Sequence, residues 1–126
     1  MTDYGFKDKV VLIAGGAKNL GGLLSRQIGR EGAKVVVHYN SDASRADAED
    51  TVKAVKDLGG EAYMTQGDLT RPANVEALFL EAKDKFGGID VAINTVGKVL
   101  RKPIVETSEE EYDSMFDINA KSAYFF

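Results

Sequence analysis

The chain has 126 residues, which suffices for one domain with a buried core. Its 44% hydrophobic and 29% charged residues are ordinary for a globular protein, and a net charge of −4 gives no basic field for nucleic acid or an anionic membrane. There is no cysteine for a disulfide or a thiolate metal site, no apolar run nears the ~18 residues of a membrane span, and residues 1–9 lack the apolar stretch of a signal peptide; a cytoplasmic protein without nucleic-acid or membrane partners is expected.

Residues 9–14 read as a buried strand, because a short β-branched run without polar alternation is what a parallel sheet requires. The glycine-rich turn Gly15-Gly16-Ala17-Lys18-Asn19-Leu20-Gly21-Gly22 follows, and a helix is expected over residues 19–31. Leu20, Leu23, Leu24 and Ile28 form its apolar stripe, and Gly32 ends it. Residues 34–39, centred on Val35-Val36-Val37, read as a second buried strand, which completes a βαβ unit of about the ~30 residues such a unit needs.

Ser41 or Asp42 then caps a helix carrying Ala48, Val52, Val55 and Leu58, stopped by Gly59-Gly60. Residues 61–66 give a third strand of mixed character. Thr70 is placed to cap the next helix, with Pro72 in its first turn; Val75, Leu78, Phe79, Ala82 and Phe86 mark its inner face. Residues 89–94 give a fourth strand, followed by a loop carrying Lys98, Arg101 and Lys102, read as solvated. A last helix opens at Thr107 or Ser108, where Ser108 and Glu111 make a capping box and Glu109, Glu110 and Glu111 complement the helix dipole. Strands alternating with helices imply a doubly wound α/β domain, a Rossmann-type parallel sheet with helices on both faces. It spans residues 1–126 and is truncated after the fourth strand and its following helix. The last four residues are apolar and carry no stop signal, so the chain reads as part of a longer one.

The turn after the first strand carries the first chemistry. A helix N-terminus has N–H groups without helical partners and therefore favours an anion such as a pyrophosphate. Gly15 suits a positive φ, Gly21 lets the helix approach the sheet, and Asn19 is the best non-glycine choice for a left-handed residue. A plain strand–helix turn in an unrelated α/β protein is the alternative. Asp68 lies at the carboxyl edge of the third strand, where nucleotides bind in such sheets, or it simply caps a turn. Asn94 ends an apolar strand as either a loop anchor or a ligand contact. Asn119 sits amid Tyr112, Met115, Phe116, Ala123 and Phe126 on one helical face. A buried amide without partners costs roughly 1–3 kcal/mol, so a backbone group, a water or another polar site must satisfy it. His38 reads as a packing residue or a cofactor contact.

Ala14-Gly15-Gly16-Ala17-Lys18-Asn19-Leu20-Gly21 resembles the T-G-x-x-x-G-x-G fingerprint of classical short-chain dehydrogenases/reductases, with Ala14 in place of the threonine and Asn19 in place of the middle glycine. Asp68-Leu69, Asn94-Thr95-Val96-Gly97 (where the family has N-N-A-G) and Asn119 continue the resemblance in the same order. It implies a nicotinamide cofactor bound by Gly15, Ala17, Lys18, Asn19, Leu20, Gly21, Asp68, Leu69, Asn94, Thr95, Val96 and Gly97. Asn119 becomes the asparagine that holds a water in the proton relay to a catalytic lysine. A homo-oligomer, dimer or tetramer, is also implied.

Cofactor choice follows from the end of the second strand. An NAD(H) site carries an acid there for the ribose hydroxyls, whereas Tyr39, Asn40 and Ser41 stand in this chain. Lys18 matches the basic position of many NADP(H)-preferring members, and Arg45 can reach in from the next helix, so NADP(H) is expected over NAD(H). The family's Tyr-x-x-x-Lys pair is absent from the chain. Three readings result: the cofactor-binding part of an NADP(H)-dependent oxidoreductase acting on a carbonyl or alcohol; a non-catalytic nucleotide-binding relative; and an unrelated Rossmann-like protein such as a methyltransferase.

Overall fold

A computed structural model describes residues 2–126. Its elements are β1 (Val10–Ala14), α1 (Asn19–Arg30), β2 (Lys34–Tyr39), α2 (Arg45–Asp57), β3 (Glu61–Gln66), α3 (Pro72–Phe86), β4 (Val91–Asn94), α4 (Glu109–Phe116) and α5 (Ser122–Phe125). Short 3₁₀ turns lie at Asp42–Ser44 and Ile104–Glu106, and a π-helical turn, Asp117–Lys121, joins α4 to α5.

The four strands form one parallel sheet in the order β3-β2-β1-β4. Every residue of β1 is buried, and so is β2 beyond its first residue. Because successive strand side chains point to opposite faces, β1 and β2 feed two cores. Val11, Ile13, Val35 and Val37 pack with Ile28, Ala48 and Val55 beneath α1 and α2. Leu12, Ala14 and Val36 pack with Val75, Leu78 and Ala82 beneath α3 on the other side. The doubly wound α/β reading is what the structure shows. β4 is an edge strand, with Ala92 exposed and its other residues half-buried.

Several local expectations are corrected. In α1, Leu20 and Leu23 are 61% and 54% exposed; the buried face consists of Gly21, Gly22, Ser25, Ile28 and Gly29. Small residues fill this face because the helix runs close to α2 and to the glycine turn. A β-carbon on Gly29, for example, would lie 2.6 Å from a Val55 methyl. No side-chain cap is formed by Ser41, and α2 is entered through the Asp42–Ser44 turn. Thr70 does not cap α3: Arg71 holds that position, and the Thr70 hydroxyl donates to Asp68 instead. Ser108 does cap α4, accepting from Glu111 N–H.

The order of strands brings β1 between β2 and β4, so chain connections leave β1 and β4 in opposite directions. Ala14 pairs with Asn94 at the carboxyl ends of these two strands. The glycine turn and the Asn94–Gly97 loop therefore emerge side by side at the crevice where ligands bind in open α/β sheets.

Candidate functional site

The glycine turn depends on two backbone conformations that its sequence supplies. Gly15 has φ +72° and Asn19 has φ +52°. Asparagine tolerates this left-handed region better than other residues with a β-carbon, so Asn19 can serve where a glycine would otherwise be needed. Gly21 serves a different purpose. A β-carbon there would lie 1.9 Å from the Gly15 carbonyl oxygen and 2.7 Å from Thr95 Oγ1. The first turn of α1 is thus seated directly on the loop that leads into it.

Three hydroxyls hold the carbonyls of this turn. Thr95 Oγ1 donates to Ala14 O at 2.7 Å, with Gly15 O at 3.2 Å, and the Thr95 N–H also bonds Ala14 O at 3.0 Å. Ser25 Oγ lies 2.9 Å from both Gly16 O and Gly21 O, and Thr51 Oγ1 donates to Ala17 O at 2.6 Å. The N–H side of the turn differs. Gly15 N–H donates to His38 Nδ1 and Gly16 N–H to His38 O, whereas among the described residues the N–H groups of Lys18, Asn19, Leu20 and Gly21 take no protein acceptor. A pinned set of carbonyls beside a run of free donors at a helix N-terminus suits an anionic group such as a phosphate.

The loops after β3 and β4 line a neighbouring cleft, whose lining includes none of residues 15–21. Asp68 Oδ1 accepts from the Thr70 hydroxyl at 2.6 Å and the Thr70 N–H at 3.0 Å, and its Oδ2 lies 4.0 Å from Arg71. The Thr70 hydroxyl chiefly, with its N–H and Arg71, holds the Asp68 carboxyl below the usual carboxylate range, so it is charged at neutral pH. Leu69 is buried in the α3-side core. Asn94 Oδ1 accepts from Val96 N–H at 2.8 Å, which makes it the anchor of its own loop. Asn40, Asp68, Leu69, Val96 and Gly97 line one cleft of ≈ 730 Å³ with His38, and Glu110, Asp113 and Asp117 face them from the last helical segment.

The remaining expected residues are placed less simply. Tyr39 is 4% exposed and its side chain belongs to the core; its backbone carbonyl accepts from Gly67 N–H. Asn40 is exposed and Ser41 half-buried. Lys18 is exposed and takes part in no ion pair among the described residues. Arg45 instead pairs with Glu49 across one helical turn at 3.3 Å.

Asn119 departs from expectation. It is exposed, as are Tyr112 and Phe116, so the helical face around it is not a buried one in this chain. Its amide is nonetheless fully used. Oδ1 accepts from Lys98 N–H at 3.0 Å, and Nδ2 donates to Lys98 O at 2.9 Å and Met115 O at 3.0 Å. The Met115 carbonyl is the one a regular α-helix would reserve for the Asn119 N–H; the wider π turn leaves it to the side chain. Asn119 thereby fastens the loop after β4 to the last helix. In the basic part of that loop, Lys98 and Arg101 are exposed, whereas Lys102 bonds Glu111 at 2.8 Å and draws its carboxyl pKa down.

Sequence reasoning takes Thr95 as a cofactor contact and His38 as a packing residue or cofactor contact, not as supports of the turn, and it assigns no part to Ser25 or Thr51. Only Ser25 carried a signal, standing one helical turn after Gly21. The partners of His38 and Thr51 are remote in sequence. His38 bonds Gly15 and Gly67, and Thr51 bonds Ala17.

Comparison with known proteins gives a consistent result. A family model described as short chain dehydrogenase matches residues 9–126. The chain is 36% identical over 118 residues to 3beta-hydroxysteroid dehydrogenase 1 of Eggerthella lenta, covering 94% of this chain and 44% of that protein. A Burkholderia cenocepacia protein described as a dehydrogenase, with bound NADP, superposes with a TM-score of 0.94 and 59% identity, over 100% of this chain and 48% of that one. The NADH-dependent reductase A1-R′ complexed with NAD superposes with a TM-score of 0.88 and 27% identity, over 95% of this chain and 49% of that one. The chain spans less than half the length of the curated relatives it matches.

Proposed function

The chain belongs to the short-chain dehydrogenase family, and on that footing we propose that it is the cofactor-binding part of an NADP(H)-dependent oxidoreductase acting on a carbonyl or alcohol. The observation that carries this reading is the run of free N–H donors on Lys18–Gly21, beside a turn whose carbonyls are held by Thr95, Ser25 and Thr51. These donors would take the pyrophosphate. Asp68 would meet the adenine through the carboxylate oxygen that Thr70 does not use, and the Asn94–Gly97 loop would pass along the adenosine ribose. The cofactor, when bound, supplies or accepts hydride. This chain's residues would bind and orient it.

NADP(H) is preferred over NAD(H) because no carboxylate ends β2. Asn40 and Ser41 are accessible there, and the Lys18 ammonium is exposed with no ion-pair partner among the described residues. A 2′-phosphate would be repelled by an acid at that place and is attracted by this ammonium. Arg45 would have to leave Glu49 to contribute. The NADP-bound relative at 59% identity supports this preference, and the NAD-bound one at 27% is the case against it.

Asn119 would lie beside the cleft, fixing the loop after β4 through the N–H and carbonyl of Lys98. A β-carbon on Gly97 would be 3.2 Å from its Oδ1. Because the Tyr-x-x-x-Lys pair is not in this chain, turnover belongs to the whole protein. Assembly as a dimer or tetramer is part of the same proposal. The test is NADPH consumption by the full-length protein against a panel of ketones and quinones. Turnover with NADPH supports the reading. Cofactor binding without turnover across the panel favours the non-catalytic nucleotide-binding module.

A further inference from the structure

β2 contributes a histidine whose two ring nitrogens are both used, and by two different loops. His38 Nδ1 accepts from Gly15 N–H at 3.0 Å, and Nε2 lies 2.7 Å from the Gly67 carbonyl. An amide N–H can only donate and a carbonyl can only accept, so this pair of neighbours fixes the ring as the neutral tautomer with its proton on Nε2. The backbone repeats the linkage: Gly16 N–H donates to His38 O at 2.9 Å and Gly67 N–H to Tyr39 O at 3.0 Å. His38 is 1% exposed.

The two loops so joined do not lie on adjacent strands. The glycine turn follows β1, the Gly67–Asp68 loop follows β3, and β2 runs between them. We propose that His38 is a positioning residue that sets the phosphate-facing turn and the Asp68 loop in fixed register, so that both ends of a dinucleotide meet one preformed site. Resting on the cofactor reading above, this assigns a role to a side chain that needs no contact with the cofactor itself. His38 anchors Gly15, which sits at φ +72°, immediately before the free N–H donors. Losing that anchor would let the turn relax, and losing the Gly67 bond would let the Asp68 loop move alone. Site residues need this kind of support to keep productive geometry.

Two amide substitutions separate the bonds. In His38→Asn, Oδ1 takes the place of Nδ1 and keeps an acceptor for Gly15 while abandoning Gly67. In His38→Gln, the amide nitrogen takes the place of Nε2 and keeps a donor for Gly67 while abandoning Gly15. His38→Leu keeps apolar bulk and neither bond. Dissociation constants are measured on the full-length protein by titration with NADP+ and with adenosine 2′-monophosphate, which lacks the pyrophosphate. Thermal melts without ligand report folding.

NADP+ binding is expected to weaken about tenfold or more in His38→Leu and His38→Gln, and by a smaller three- to tenfold in His38→Asn, which frees only the Asp68 loop, each tenfold being ~1.4 kcal/mol. His38→Gln should leave adenosine 2′-monophosphate binding within about threefold. Should all three variants bind NADP+ like the parent, or all lose it equally whichever bond is kept, His38 is only a packed side chain and the inference is overturned. If His38→Leu does not fold, the contrast between Asn and Gln decides. A parent protein that binds neither NADP+ nor NAD+ overturns the cofactor reading itself, an outcome distinct from equal binding by the variants.

Discussion

Substituting Gly21 by alanine tests whether the seat of α1 on the glycine turn is as tight as its geometry implies. Intrinsic propensity points one way: alanine exceeds glycine by ~0.8–1.0 kcal/mol in a helix interior, so a free site would be stabilised. The local geometry points the other way. The new β-carbon would stand 1.9 Å from Gly15 O, 2.7 Å from Gly15 C and 2.7 Å from Thr95 Oγ1. Two of those atoms are backbone and cannot rotate away. Relief to ordinary contact, about 3.5 Å or more between heavy atoms, requires the turn and helix to separate by more than about 1 Å. That movement would also stretch the Thr95 bond to Ala14 O. Overpacking of this kind costs ~1–3 kcal/mol, and the strained hydrogen bond adds ~1 kcal/mol. The net expectation is a loss of ~1–3 kcal/mol in denaturant-measured stability, with NADP+ binding weakened about tenfold or more. Gly88→Ala is the control, because a β-carbon there meets nothing within 4 Å, and it should fall within ~0.5 kcal/mol of the parent. If Gly21→Ala were stabilised and bound cofactor unchanged, the turn would have slack that this reasoning denies.

Tyr63→Phe should leave stability unchanged or raise it by up to ~1 kcal/mol in urea melts, since the Tyr63 hydroxyl is buried without a partner among the described residues. Burial, and secondarily Glu81, push that hydroxyl's pKa to about 12, so removing it should also lessen the loss of stability between about pH 10 and 12. Ser108→Ala removes the acceptor of Glu111 N–H and should cost ~1 kcal/mol by the same melts. Burial also lowers the pKa of His38 below the ordinary 6.5. The unfolded chain then takes its proton at a pH where the folded one does not. Stability should therefore fall as pH drops from about 6.5 toward the folded-state pKa, and His38→Asn should flatten that part of the profile.

Much of this fold could be read from local pattern, for reasons particular to each segment. β1 and the Val35-Val36-Val37 run of β2 are apolar because both their faces are covered, and the glycine turn announces itself through Gly15 and the left-handed Asn19. In α1 hydrophobic size does not mark the inner face. Its close approach selects Gly21, Gly22, Ser25 and Gly29 for the buried side and leaves Leu20 and Leu23 outside. The apolar pattern around Asn119 does not mark an inner face, since Tyr112 and Phe116 on the regular α4 are exposed as well; the π turn alters only the carbonyl its side chain can reach. Tyr39 shows a related limit, since the residue at the expected cofactor position turns its side chain into the core. Least legible were the supports of the turn. Thr51 and His38 act on residues 34 and 23 positions away, and no local pattern encodes those contacts.

The most direct test of the proposed cofactor role is calorimetric titration of the full-length protein and its Lys18→Ala variant with NADP+ and NAD+. The parent should bind NADP+ at least about tenfold more tightly, as one charge-assisted contact of ~1.5–3 kcal/mol to the 2′-phosphate would give. Lys18→Ala should lose most of that preference while its NAD+ affinity stays within about threefold. Equal binding of the two cofactors by the parent, or an equal loss of both on substituting Lys18, would contradict the assignment of the 2′-phosphate to this end of the cleft.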